Sequence, residues 1–174
     1  MDAKTGQESD DDFDWTILCT SRVLGCASPE GSTFSEFQSL NADLFEEQYN
    51  TRQGIYGPHH SGGLQNTILA WTGPEYLASM LHYNQVMDLP DEAYAVLRLF
   101  LLKDWHAKHL YAELASDDDR EVLSFVVEFD ALRWKATRDS LGQAELTTEE
   151  CQHLWDSRYA NIAAKFGADR ELRW

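Results

Sequence analysis

At 174 residues, 43% hydrophobic and 12% aromatic, the chain is long enough to bury one core and has a globular composition. Lys and Arg total 14 against 30 Asp and Glu, a formal charge of −16 whose field repels nucleic-acid phosphates and anionic lipid. No run approaches the roughly 20 apolar residues of a membrane span, and the first residues lack the basic and apolar regions of a signal peptide, so a cytoplasmic protein without nucleic-acid or membrane partners is expected.

Residues 1–14 are acidic and nearly free of apolar side chains, the composition of a disordered tail, which leaves 15–174 as one domain. Trp15 to Leu24 is apolar and β-branched without a helical period and reads as a short strand or extended segment. Residues 31–40 are polar and turn-rich, and residues 41–60 read as a helical turn followed by a Gly-Pro loop. Adjacent His59 and His60 diverge in direction and have no carboxylate at ligand spacing, so they make a poor metal pair. Leu64 to Trp71 reads as a short helix, interrupted at Gly73-Pro74; a second helix then resumes with Leu77, Met80, Leu81 and Asn84 on one side.

The stretch from Asp88 to His106 organises the rest. Pro90 stands at a first helical position, Asp91 and Glu92 fill the first turn, and Ala93, Val96, Leu97, Phe100 and Leu101 recur at helical spacing, so the stretch reads as one helix with one buried face. Ser116 caps a further helix that opens on Asp117, Asp118 and Asp119; with neither the glycine nor the distal glutamate of a calcium loop, these are a helix start. Its expected buried stripe is Val122, Phe125, Val126, Phe129 and Arg133, which turns an arginine inward. Thr147 and Glu150 make a capping box for the last helix, whose apolar side is Leu154, Trp155, Tyr159, Ile162 and Phe166, with Gly167 as its C′ residue. Cys19, Cys26 and Cys151 show no disulfide or zinc spacing and are expected to be reduced and mostly buried.

Five segments carry a resemblance: YNTRQGIYGPHHSGGL (Tyr49 to Leu64), AWTGPEYL (Ala70 to Leu77), LPDEAYAVLR followed by DWH (Leu89 to His106), EFDAL (Glu128 to Leu132) and the terminal Arg-Trp. In these, and in the spacing between them, the chain resembles the carboxy-terminal half of myo-inositol oxygenase, an HD-domain family. The resemblance implies an all-α HD-type helical bundle, here truncated and preceded by a short extended segment. Enzymes of that family use two irons to oxidise inositol to glucuronate with dioxygen.

The resemblance also implies a changed site. It sets the family's iron-binding histidines on Gly73 and Phe100 and its iron-binding aspartate on Arg133; none of these side chains can donate to a metal. Leu101 falls where the family has a substrate-touching serine, and Thr20 falls on a family aspartate. His106 matches a family histidine that is not a ligand, and a core histidine bonded to backbone is the simpler reading. His82 and His109 read as solvated. No metal and no cofactor are therefore expected.

The candidate pocket comprises Arg133, Phe100, Leu101, Gly73, Asp130, His106 and Thr20. Arg133 pairs with Asp130 or Glu128, either as a plain structural bridge or as a fixed charge for a ligand's carboxylate or enolate oxygen. Phe100, Leu101 and Leu102 make an apolar wall or simply fill space. Three functions stay open: a cofactor-independent cyclase or isomerase in small-molecule biosynthesis; a non-catalytic pseudoenzyme serving as an interaction subunit; and a product with no activity. Expected partners are an apolar or anionic small molecule, and a second copy or another chain covering the missing half.

Overall fold

A computed structural model describes residues 20–33, 35–60, 62–84, 88–140, 145–168 and 171. The acidic tail, the first half of the Trp15 to Leu24 segment including Cys19, and the terminal Arg-Trp lie outside the described residues. The fold is all-α, as the periodicity and the resemblance led us to expect. Its helices are α1 (Gly73–Asn84), α2 (Asp91–Leu99), α3 (Lys103–His106), α4 (Asp117–Ser140), α5 (Thr148–Leu154) and α6 (Ala160–Lys165). Short 3₁₀ turns at Ser35–Leu40, Ala42–Phe45, Gly54–Tyr56 and Leu64–Asn66 carry the chain to α1. Among the described residues, no helix is long and apolar enough to cross a membrane.

α2 is the hub, packed between α1 and α4. Its position follows from burial on more than one side: Ala95 and Leu99 are sealed, while Ala93, Val96 and Leu97 are half-buried. The expected single helix to His106 is two helices. Pro90 sits just before the first turn in an extended conformation, and α2 ends at Leu99. Leu102 (φ −80°, ψ 62°) breaks the helical path before α3 begins. This break drives Phe100, Leu101, Leu102 and Trp105 together into the core with Val23, Leu64 and Val126.

The amino-terminal segment is extended, as expected, where it is described. Val23 forms an isolated antiparallel bridge with Leu69, flanked by Leu24 N–H to Ile68 O and Ala70 N–H to Arg22 O, each 2.8 Å. That pairing overturns the helix expected over Leu64 to Trp71, of which only the Leu64–Asn66 turn is helical. The β-branched pair Thr67-Ile68 favours the extended form, and the Tyr56 hydroxyl fixes it by donating to Leu24 O (2.6 Å) and accepting from Ile68 N–H (2.9 Å). Gly54 permits this closeness: a Cβ there would lie 1.9 Å from Gly25 O.

Buried carboxylates pin the loops. Asp119 is fully buried; its Oδ2 accepts the Leu64 N–H (2.7 Å), the Ser116 N–H (2.8 Å) and the Ser116 hydroxyl (3.0 Å), tying the 62–66 turn to the start of α4. Asp104 on α3 accepts from the Thr33 N–H and hydroxyl and pairs with Lys108 at 2.9 Å, holding the 31–33 loop.

Two expected stripes are corrected. On α4, Val122 and Val126 are buried, but Phe125 and Phe129 are 53% and 38% exposed. The last helix does start on its capping box, whose hydrogen bonds from Thr147 hold the Glu150 carboxyl below its ordinary range. It then passes through a π turn at Trp155–Tyr159 before α6, and Trp155, Tyr159 and Ile162 remain exposed. A π turn inserts an extra residue into the repeat, so the spacing of a continuous helix no longer marks one face. Gly167 (φ 71°) closes α6 in a Schellman pattern, with Ala168 N–H to Ala163 O and Gly167 N–H to Ala164 O. Cys26 is half-buried and Cys151 exposed, which corrects the expectation of mostly buried thiols.

Candidate functional site

Five of the seven expected pocket residues gather where α2, α3 and α4 meet. Phe100 packs edge-to-face on Phe129 with ring centroids 5.1 Å apart. Arg133 lies one turn beyond Phe129 on α4, which sets its guanidinium 5.5 Å from the Phe100 ring centroid and 5.1 Å from that of Trp134. Its Nη2 donates to Asp130 Oδ1 at 3.1 Å, so Asp130, and not exposed Glu128, is its partner. His106 is buried with Nε2 2.9 Å from the Phe100 carbonyl oxygen, which fixes the break after α2. Leu101 is a core residue whose carbonyl accepts the Ser21 N–H at 2.8 Å; Thr20, next to Ser21 in sequence, is half-buried. Gly73 opens α1 beside open space, and the polar and ring contacts of Arg133 do not reach it.

Sequence reasoning missed two members of this cluster. Lys103 comes from α3, its Nζ 3.9 Å from Asp130 Oδ2 and 4.5 Å above the Trp134 ring. Burial lowers the Lys103 pKa, with Asp130 opposing and Arg133 reinforcing that shift. Lys103 joins the site only because the chain breaks after Leu99, which helical spacing does not show. Trp134, beside Arg133 in sequence, was legible as a neighbour of the inward arginine.

A groove of about 990 Å³ lies elsewhere, between α1, α2 and the first turns of α4. Its lining includes Glu75, His82, Asp91, Glu92, Asp118, Glu121 and Phe125, and none of the seven expected residues. Arg98 crosses it as a clamp. Its Nε and Nη2 donate to the two oxygens of Glu75 (2.9 and 2.8 Å), Nη2 also to Thr67 O (3.1 Å) and Nη1 to Gln65 O.

Among the described residues, no group of three or more His, Cys, Asp or Glu side chains is placed to hold a metal ion. Gly73, Phe100 and Arg133, which the resemblance sets at iron positions, offer a hydrogen, a ring without a lone pair and a permanent cation, so these three do not fit iron. Other reactive groups are held quiet. Burial, and secondarily the Glu113 carboxylate, pushes the Cys26 thiol up to about 11, and burial pushes Tyr111 up to about 12. What the cluster presents to a ligand is therefore fixed positive charge against aromatic surface.

An all-α fold in which a hub helix packs between two others, with a charged and aromatic cluster at its end, defines a helical-bundle protein. The family model for myo-inositol oxygenase matches residues 8–160, and the chain belongs to that family. Similar relatives are the inositol oxygenases of Mus musculus (34% identical over 117 residues), Homo sapiens (32% over 117) and Dictyostelium discoideum (30% over 115). Each match covers 66% of this chain but only 38–40% of the relative, so the chain spans well under two thirds of these enzymes' length.

Proposed function

We propose that this chain is a metal-independent member of the family, in which an apolar pocket with one fixed cation has replaced the iron site, and that it acts on a small molecule as a cofactor-independent isomerase or cyclase. The observation that carries this reading is the placement of Arg133: its guanidinium rests on Asp130 and against Phe100, at the position the resemblance gives to an iron-binding aspartate. In this reading Arg133 holds a carboxylate or developing enolate oxygen. Phe100 and Leu101 exclude water from the ligand's body, so that orientation and one preorganised charge lower the barrier. Elemental analysis of the purified full chain, with an assay for inositol consumption, tests it. Substoichiometric iron and no turnover are expected; stoichiometric iron or inositol oxidation overturns the reading.

A second reading, a non-catalytic interaction subunit, is favoured by the exposure of Phe125, Phe129 and Leu132 on α4 and of Trp155, Tyr159 and Ile162 beyond it. Light scattering separates the two. A monodisperse monomer supports the first reading, and a stable oligomer the second.

A further inference from the structure

Two cations from different elements converge on one carboxylate. Arg133 takes Asp130 Oδ1 and Lys103 lies near Asp130 Oδ2, which leaves a net charge of one positive unit in a chain whose formal charge is −16. Both side chains are largely desolvated yet reachable, with 24% and 22% of their surface exposed. The match with Asp130 is incomplete, because the buried Nε–H of Arg133 has no acceptor among the described residues. The cluster is thus short of acceptors for its donors, and an anion held against the reachable parts of Arg133 and Lys103 supplies them. Beside these charges stands an apolar surface: the Trp134 ring under both cations and the partly exposed Phe129 ring packed on Phe100.

We infer that Lys103 and Arg133, with Phe129 and Trp134, form a binding site for the carboxylate of a small acid that has an apolar body. The inference deepens the metal-independent reading of Arg133 and rests on it for the role of this cluster. The carboxylate takes the Arg133 guanidinium and the Lys103 ammonium, and the body lies on Phe129. One surplus positive charge matches a monoanionic carboxylate better than a phosphate dianion, and the exposed ring gives a purely polar anion nothing to cover.

The test is calorimetric titration of the full chain at low ionic strength with benzoate, acetate and inorganic phosphate, on protein whose iron content is measured in parallel. Benzoate is expected to bind saturably at one site, more tightly than acetate or phosphate. Loss of a charge-assisted contact in Lys103→Gln should weaken benzoate about tenfold, whereas Lys103→Arg should largely retain it. Lys135→Gln, at an exposed lysine on the same helix, should leave binding unchanged. The ranking of the three anions needs no variant, so the inference remains testable if Lys103→Gln folds poorly. Absent benzoate binding, phosphate binding at least as tight, or equal weakening by Lys135→Gln overturns it. Iron with benzoate binding intact would refute the metal-independent reading and leave this site standing; iron-free protein that ignores benzoate would do the reverse.

Discussion

Removing the Asp119 carboxylate offers a stringent check on how the fold is held. Asp119 is 0% exposed, and one of its oxygens serves three donors, the N–H groups of Leu64 and Ser116 and the Ser116 hydroxyl. In Asp119→Ala the Leu64 N–H, on a residue that is itself fully buried, has no water to replace its acceptor. A stranded buried donor costs about 1–3 kcal/mol, and each lost hydrogen bond to a charged acceptor is of similar size. The part-buried Ser116 groups can turn to water, and the variant no longer desolvates a carboxylate, so a net cost of about 3 kcal/mol follows. For a domain of this size that is a fall of roughly 6–12 °C in Tm, read by circular dichroism. Asp119→Asn keeps an acceptor oxygen and should lose about half as much. A second substitution tests the geometry. Gly63 has φ +66°, and a Cβ there would lie 2.3 Å from Asp119 Oδ2 and 2.4 Å from Ser116 Oγ. Gly63→Ala should therefore destabilise on its own, but by about 1 kcal/mol less in the Asp119→Ala background, where one of the clashing atoms is gone. An Asp119→Ala cost below about 1 kcal/mol, or strict additivity of the pair, would refute the pin.

Four further outcomes are expected. Asp104→Asn removes the charge that pairs with Lys108 and weakens the acceptor for the Thr33 N–H and hydroxyl, so urea unfolding should show a loss of about 2 kcal/mol. Arg98→Lys cannot keep the two-pronged contact with Glu75 or reach both the Gln65 and Thr67 carbonyls, and should cost about 1–2 kcal/mol where alchemy of charge alone would predict none. Cys26 stays protonated in the folded chain until about pH 11, whereas in the unfolded chain it ionises from about pH 9. The unfolded state thus holds fewer protons across that window, and stability falls as pH rises through it, less so in Cys26→Ala; below pH 9 the two should run parallel. The same shift predicts that a thiol-alkylating reagent labels exposed Cys151 well before Cys26, as peptide mapping would show.

The caps were legible in the sequence because they are local. Ser116, the Thr147–Glu150 box and Gly167 each depend on residues within one turn, and each stands where its pattern placed it. Orientation was less legible. The periodicity of residues 93–101 showed that a helix exists, but not that it is squeezed from two sides, which is why Ala95 and Leu99 are its most buried positions. On α4 the aromatic spacing of Phe125 and Phe129 suits a core face, yet burial depends on what lies opposite, and no helical period reports that. The site was half legible for the same reason. Arg133, Asp130 and Phe100 came from one helix and a family resemblance, whereas Lys103 reaches them through a chain break seen only in three dimensions.

That contrast bears on whether stability and binding can be separated. Asp119 and Arg133 lie 14 positions apart on one uninterrupted helix, about 21 Å at the helical rise. If the pin at Asp119 set the register of α4, loosening it would shift Arg133 away from Lys103, and ligand affinity would fall with stability. The contacts at the far end argue otherwise. Arg133 and Lys103 are both held by Asp130, and the Phe129 ring is packed on Phe100, so α2 and α3 fix that stretch of α4 directly. Asp119→Asn, titrated with benzoate well below its Tm, should therefore bind as the parent chain does while unfolding at a lower temperature. A parallel loss of affinity would show that the helix transmits the strain, and that the cluster is not locally supported.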